Sequence, residues 1–297
     1  MKTINQLHSE YFPSLAQLYP EQEARAMERA VLQEVLHLTP TQLLLLDKDT
    51  ILAVAEENLF RNYMQRLLDG EPLQYITGKI FFMGMELDVA PGVLIPRPET
   101  EEMVYLISQT DYKSNLRILD IGTGSGCIAC ALAKELTSPE KVYGLEISPE
   151  AISVARHNFD KVASDFAVTA PEVLEGSLFD FPQKFSAMLP FNLIVSNPPY
   201  IMPSESNIME SHVLEHEPHI ALFAPQDDPL VFYKGIAGLI PAGFLAPAGE
   251  VWVEINALLA EDTLQAMKDI IGESHTFSLI KDLSRKDRFI HIKSELS

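Results

Sequence analysis

Apolar residues in this chain keep two different rhythms. Up to residue 69 they recur every three to four positions, the period of one helix face. After Pro20, the residues Ala24, Met27, Val31, Val35 and Leu38 share such a face. Leu52, Ala55, Leu59, Tyr63 and Leu67 form a second stripe, with Asp49 as its expected cap and Gly70 and Pro72 as its stop. Between them, Thr39-Pro40 reads as a cap followed by a first-turn proline. In residues 79 to 96, KIFFMGMELDVAPGVLIP, the rhythm becomes strand-like alternation, and Pro91-Gly92 is the expected turn of a hairpin.

From Glu99 onward short β-rich runs alternate with helical stretches. Strands are predicted at LRILDIG, KVYGLEI, FNLIVSN and GEVWVEI, interleaved with helices at CIACALAKEL, PEAISVARHNF, PLVFYKGIAGLI and LLAEDTLQAMKDIIG. FSLIKDL and DRFIHIK then read as a closing strand pair. Such alternation builds a mainly parallel α/β sheet, here finished by an antiparallel C-terminal hairpin. The expected organisation is a helical domain over 1–77, a β-hairpin linker over 78–98 and an α/β domain over 99–297.

Composition agrees with this division, because all 14 glycines lie at or beyond Gly70. At 297 residues and 47% hydrophobic content the chain can bury two cores. Its net charge of −20 opposes a polyanionic partner and suits a basic protein better, so no direct nucleic-acid binding is expected. No apolar run approaches the roughly 20 residues that span a bilayer. Met1-Lys2-Thr3-Ile4-Asn5-Gln6 lacks the apolar core of a secretory signal, and two cysteines make no disulfide framework. A cytoplasmic protein without membrane contact is the expectation.

Three strand ends carry the candidate chemistry. In ILDIGTGSGCIA a strand runs into Asp120, and Gly122, Gly124 and Gly126 then form a loop ahead of a helix. Glycines allow a tight turn and close approach of a ligand, and nucleotide-like ligands bind at such crevices in open α/β sheets. A dinucleotide fingerprint would need glycine at position 127, which is Cys127, and no Gly-Lys-Ser/Thr follows. Taken alone, the loop is also compatible with a plain strand–helix turn. Glu146, at the tip of the next strand, can accept hydrogen bonds from both hydroxyls of a ribose.

The third strand end is FNLIVSNPPYI. Pro198 holds Asn197 extended, and neither Pro198 nor Pro199 has an N–H to continue a ladder. The rigid platform offers the Asn197 side-chain oxygen and the Pro198 carbonyl as two adjacent acceptors. An –NH2 group has two donors to match them, and the Tyr200 ring can cover it. As a bare Asn-Pro turn, the same residues would only end the strand.

Together these strand ends resemble the class I S-adenosylmethionine-dependent methyltransferases. More narrowly, the chain is similar to the release factor glutamine methyltransferases (PrmC/HemK) over nearly its whole length. EPLQYITG, VLIPRPETE, LDIGTGSG, SNPPYI, Glu217-Pro218 and KDLSRKDRF carry the similarity. The resemblance implies a Rossmann-like sheet with a small N-terminal helical domain that recognises the substrate. It implies methyl transfer from S-adenosyl-L-methionine to the glutamine amide of the Gly-Gly-Gln motif in class 1 peptide chain release factors. Asp120, Gly122, Thr123, Gly124 and Gly126 would then hold the methionine part of the cofactor, and Glu146 its ribose. Ser177 and Leu178 would lie at the adenine, and Asn197 would also reach the cofactor. Asn197, Pro198, Pro199 and Tyr200 would serve catalysis and, with Arg97 and Thr100, bind the glutamine.

Some positions depart from the family pattern. Ser177 and Leu178 stand where an acid and an aromatic are frequent, PQDDPL replaces a glycine-containing turn, and Asn256 stands where glycine is usual. Rival functions are an adenine amino methyltransferase, a nicotinamide oxidoreductase and a non-catalytic binding module. Charge disfavours the first, glycine spacing the second and the intact Asn-Pro-Pro-Tyr the third. No metal site is expected. Cys127 and Cys130 have no second pair. HEPH, amid His212, Glu215, His216, Glu217 and His219, is one residue short of H-E-x-x-H and carries the helix breaker Pro218. Met83 and Met85 are expected to pack within the hairpin.

Overall fold

The computed structural model describes residues 1–112, 115–137, 139–188 and 190–295. They fall into two compact units, Met1–Gly78 with Glu210–His216, and Lys79–Met209 with Glu217–Ser297. No helix among the described residues is long and apolar enough to cross a membrane.

The first unit contains α1 (Ile4–Leu18), α2 (Glu21–Leu36), α3 (Pro40–Leu45), α4 (Val54–Leu68) and α5 (Leu73–Thr77). Thr3 starts α1 with a reciprocal cap: its Oγ1 accepts from the Gln6 N–H at 3.2 Å, and Gln6 Oε1 accepts from the Thr3 N–H at 3.0 Å. Thr39 and Gln42 repeat the device before α3, with Pro40 in the first turn. Leu7, Leu15, Val31, Phe60, Met64 and Leu67 close the core of this unit. Two sequence expectations shift here. Leu38 lies past α2, because His37 adopts a left-handed conformation (φ 53°) that ends the helix. Asp49 does not cap α4; its N–H donates to Asp47 Oδ1 in a turn, and α4 begins at Val54. The buried stripe is therefore phased on Phe60, Met64 and Leu67, and Leu59 is 38% exposed.

The second unit opens with a hairpin of β1 (Lys79–Phe82) and β2 (Met85–Asp88). Its turn is Met83-Gly84, both at positive φ, and Phe82 pairs with Met85. That is the backbone a two-residue hairpin loop requires. Pro91-Gly92 lies beyond β2, in the loop leading to α6 (Pro98–Ser108). Pro91-Gly92 is the stronger turn dipeptide in the sequence, but the tight turn falls at Met83-Gly84, where the strand register closes on two positive-φ residues.

The elements that follow are β3 (Arg117–Ile121), α7 (Cys127–Glu135), β4 (Lys141–Glu146), α8 (Pro149–Phe166), β5 (Glu172–Glu175), α9 (Phe181–Lys184) and β6 (Phe191–Ser196). After them come α10 (Ser211–His216, in the first unit), α11 (His219–Leu222), α12 (Val231–Gly238), β7 (Leu245–Glu254), α13 (Ala260–Ile271), β8 (His275–Lys281) and β9 (Asp287–Ser294). The seven strands lie in the order β5-β4-β3-β6-β7-β9-β8. β5, β4, β3, β6 and β7 run parallel, while β9 is antiparallel to β7 and to β8. The predicted mainly parallel sheet with its antiparallel C-terminal pair is thus present. One face buries Met103, Val104 and Ile107 of α6 with Ile128, Leu132, Ala155 and Phe159 of α7 and α8. The other buries Phe181, Tyr233, Ile236 and Met267 against the strands.

Candidate active site

The chain lays β4 and β5 on one side of β3 and then returns to place β6 on the other. The connections leaving the carboxyl ends of β3 and β6 therefore diverge, and a crevice must open between them. A cleft of about 370 Å³ lies there.

Most of the predicted residues meet around it. Gly122, Thr123, Gly124, Glu146, Ser177, Leu178, Asn197, Pro198, Pro199, Arg97 and Thr100 all line the cleft. Asp120, Gly126 and Tyr200 do not. Asp120 is fully buried beneath the loop, where its Oδ2 accepts from the Thr123 hydroxyl at 2.5 Å. Burial, opposed by that hydrogen bond, pushes its carboxyl up to about 7. Gly126 faces away, and a Cβ there would stand 2.6 Å from the Phe159 ring. The loop glycines have φ values of 70°, 56° and 82°, which only glycine adopts without strain. A Cβ built on Gly122 would meet nothing within 4 Å. The space beside the loop is open to a ligand.

Glu146 does more than its position at a strand tip announces. Its Oε2 accepts from the Gly124 N–H at 2.9 Å, and its Oε1 accepts from the Ile147 and Ser148 N–H groups at 2.8 and 2.9 Å. The carboxylate ties the glycine loop to the end of β4. Of the roughly four acceptor directions a carboxylate has, one on Oε2 is left open, enough for one ligand hydroxyl and not two. The expectation of two free acceptors did not include the backbone donors that three-dimensional neighbours supply.

Behind the Asn-Pro-Pro-Tyr platform lies a chain of polar contacts. Asn197 Nδ2 donates to Thr100 Oγ1 at 2.9 Å, and the Thr100 hydroxyl donates to Glu254 Oε2 at 2.7 Å. The Tyr200 hydroxyl donates to Glu254 Oε1 at 3.0 Å. Thr100 and Glu254 are 2% and 1% exposed. Tyr200 thus turns its hydroxyl toward β7, and Asn197 with the two prolines faces the cleft. Asn256, at the position where glycine was expected, has φ −70° and needs no glycine. Its amide nitrogen donates to the Tyr200 carbonyl at 3.2 Å and to Glu205 Oε2 at 2.8 Å, which braces the platform.

Arg97 is held by Glu217, with Nη2 to Oε1 at 2.6 Å, and Glu217 Oε2 also accepts from the Ile95 N–H at 3.2 Å. Its partner is thus the glutamate of the Glu-Pro pair singled out in the sequence. Ser177 Oγ accepts from the Phe179 N–H at 3.2 Å, capping a short 3-10 turn. Ile147, Phe179 and Phe232 give the same end of the cleft an apolar wall. Sequence reasoning did not name these three, nor Glu254. Phe179 lies within one residue of the positions that were named, so proximity was the available signal. Cys127 and Cys130 are buried thiols on α7. Among the described residues no group of three His, Cys, Asp or Glu side chains could hold a metal ion.

The features fit a ligand with a diol, a flat ring and an amino-acid tail. One Glu146 acceptor is open to a hydroxyl, the apolar wall suits a ring, and the positive-φ glycine backbone leaves room beside it. Ser125 Oγ, in the cleft lining, is buried without a partner among the described residues.

Comparison with known proteins gives a consistent result. Residues 112–236 match the family described as methyltransferase domain, and residues 6–78 match the PrmC N-terminal domain. A release factor glutamine methyltransferase of Bacteroides thetaiotaomicron is 37% identical over 287 residues, covering 97% of this chain and 99% of that protein. The protein of the same name from Flavobacterium psychrophilum is 33% identical, covering 97% and 98%. The crystal structure of a release factor-specific protein-(glutamine-N5) methyltransferase from Alicyclobacillus acidocaldarius aligns with 25% identity and a TM-score of 0.42, covering 70% of this chain and 99% of that one.

Proposed function

The chain belongs to the release factor glutamine methyltransferases, and on that footing we propose that it methylates the glutamine amide of the Gly-Gly-Gln motif in class 1 peptide chain release factors. It is an S-adenosylmethionine-dependent enzyme with a methyltransferase domain. The observation that carries the substrate assignment is the Asn197 side chain. Its nitrogen is engaged by Thr100, and among the described residues no group donates to its oxygen.

An amide nitrogen is a weak nucleophile, because its lone pair is delocalised into the carbonyl. When bound, S-adenosylmethionine supplies a methyl group on a sulfonium, which such a nitrogen can attack in line. Asn197 Oδ1 and the Pro198 carbonyl take the two N–H groups of the target amide and fix its orientation. The Pro-Pro backbone keeps these acceptors from reorganising during the reaction. The methyl–sulfonium bond breaks as the methyl–nitrogen bond forms, and the N-methylated amide is then acidic enough to release its extra proton to water, so catalysis is positioning and preorganised electrostatics rather than base chemistry. Glu146 and the glycine loop hold the cofactor, and Arg97, braced by Glu217, contacts the substrate loop. The working compartment in this reading is the cytoplasm, where release factors act.

Mass spectrometry of a purified release factor, incubated with this protein and S-adenosylmethionine, should locate one added methyl group on the Gly-Gly-Gln glutamine. A methyl group on adenine in DNA or RNA, with the release factor untouched, would replace this assignment by the nucleic-acid one.

The helical unit serves recognition in this proposal and does no chemistry. Leu44 and Leu45 on α3 are 77% and 83% exposed, an unusual display for adjacent leucines. Replacing both with serine should raise KM for intact release factor about tenfold, an interface loss of about 1.4 kcal/mol. Methylation of a short Gly-Gly-Gln peptide should stay unchanged. Equal losses on both substrates would remove the division of labour.

A further inference from the structure

We propose that Glu254 is a positioning residue: through the Thr100 hydroxyl it fixes which end of the Asn197 amide faces the cleft. This rests on the glutamine reading above and extends it to a residue outside the Asn-Pro-Pro-Tyr motif.

The two ends of a carboxamide have nearly the same shape, and only their hydrogen-bond partners distinguish them. Glu254 ends β7, and Ser196 pairs with Val253, so Glu254 and Asn197 leave neighbouring parallel strands side by side. Thr100, in the first turn of α6, bridges them at 2.9 and 2.7 Å. An ionised carboxylate can only accept, so Glu254 claims the single proton of the Thr100 hydroxyl. Toward Asn197, Thr100 then presents only lone pairs and must receive Nδ2. Asn197 Oδ1 is left as the acceptor that a substrate –NH2 requires.

Protonation of Glu254 removes this constraint. The carboxylic acid then donates its O–H to Thr100 Oγ1 as a hydrogen bond, and the Thr100 hydroxyl hydrogen is free to turn toward Asn197. The amide can flip, and a donor would meet the donors of the substrate.

The groups around Glu254 include the buried Cys127 thiol of α7, which its burial above all, helped by the Glu254 charge, keeps protonated. Tyr200 donates to its Oε1, and the Tyr233 hydroxyl of α12 donates to its backbone carbonyl at 3.0 Å. Arg288 of β9 favours its charged form and Glu99 of α6 opposes it. Burial is the largest influence, and against the hydrogen bonds from Thr100 and Tyr200 it pushes the carboxyl up to about 7. The amide is therefore held in its productive sense above that pH and loosened below it. Asp120 is also pushed up to about 7, so the transition has to be assigned through a Glu254 variant.

The test uses the full-length protein and two readouts. The first is the side-chain 15N–1H2 signal of Asn197, assigned by its loss in Asn197→Asp. It should shift with a midpoint near pH 7 in the wild type, and this titration should vanish in Glu254→Gln. The second is single-turnover methylation of the release factor at saturating S-adenosylmethionine. The wild-type rate should rise with pH through the same midpoint. Thr100→Val should lose about 100-fold at high pH, as expected for a misoriented reacting group, and Thr100→Ser should restore most of it. An Asn197 signal that does not titrate, one that titrates unchanged in Glu254→Gln, or a full rate in Thr100→Val would each overturn the proposal. A wild-type protein that leaves the release factor unmethylated while the Asn197 signal still titrates would instead refute the substrate reading and leave the relay standing.

Discussion

Asn197→Ala should bind S-adenosylmethionine normally and methylate the release factor about 100- to 1000-fold more slowly, the usual cost of removing one preorganised polar contact to a reacting group. In the proposed mechanism the substitution takes away one of two acceptors for the target amide and leaves the glycine loop and Glu146 intact. Thr100 and Glu254 stay buried without needing Asn197, because Thr100 still donates to the carboxylate. Asn197→Asp should lose less, since it keeps an acceptor. It also sets a second carboxylate behind Thr100 beside Glu254, so full activity is not expected. Tyr200→Phe should be mildest, because the hydroxyl reaches Glu254 rather than the cleft. Single-turnover rates beside a direct binding assay separate these cases. A near-normal rate for Asn197→Ala, or loss of cofactor binding as severe as loss of methylation, would reduce the motif to a strand-ending turn.

The second large effect concerns Glu146. Calorimetry should show Glu146→Ala binding S-adenosylmethionine at least about 100-fold more weakly, a loss of about 3 kcal/mol built from charge-assisted hydrogen bonds of about 1.5–3 kcal/mol each. The variant releases the Gly124, Ile147 and Ser148 N–H groups and, in the proposed cofactor site, loses an acceptor for the ribose. The loop beside the ligand then has no anchor on β4. Glu146→Gln should fall between alanine and wild type, because one amide end donates and cannot take the place of a carboxylate oxygen among backbone donors. Unchanged affinity in both variants would sink the assignment of this residue to the cofactor.

Much of the fold was legible because the parallel strands are buried on both faces and therefore read as continuous apolar runs, as in LRILDI and FNLIVS. β5 was not read. It is a four-residue edge strand, EVLE, with exposed charged ends and no apolar run to mark it. α6 escaped although its signals are ordinary: Pro98 and two acids in the first turn, then Met103, Val104 and Ile107 at helical spacing. The Arg-Pro-Glu-Thr-Glu stretch drew attention as a motif, and its helical role went unseen. The site divides along a similar line. Gly122, Gly124, Glu146 and Asn197 announce themselves because unusual residue types sit at strand ends. Glu254 does not, because its meaning lies in a contact with Thr100 across 154 positions of sequence. Nothing local in VWVEIN separates that glutamate from one that faces solvent.

The helical unit is interrupted: Met1–Gly78 is joined by Glu210–His216, with most of the α/β sheet encoded between them. Synthesis proceeds from the N-terminus, so five helices leave the ribosome long before their last companion. The buried core of the unit is drawn from Ile4 to Ile76, so the late segment adds to a bundle whose core is already encoded, and the loop that returns to it encloses β3 through β6. Closing so long a loop costs only modestly more than closing a short one, and what waits for it is the docking of one six-residue helix. A nascent chain halted before Glu210 therefore carries the N-terminal helices and their whole buried core, and lacks only the segment that translation of β3 to β6 delivers afterwards.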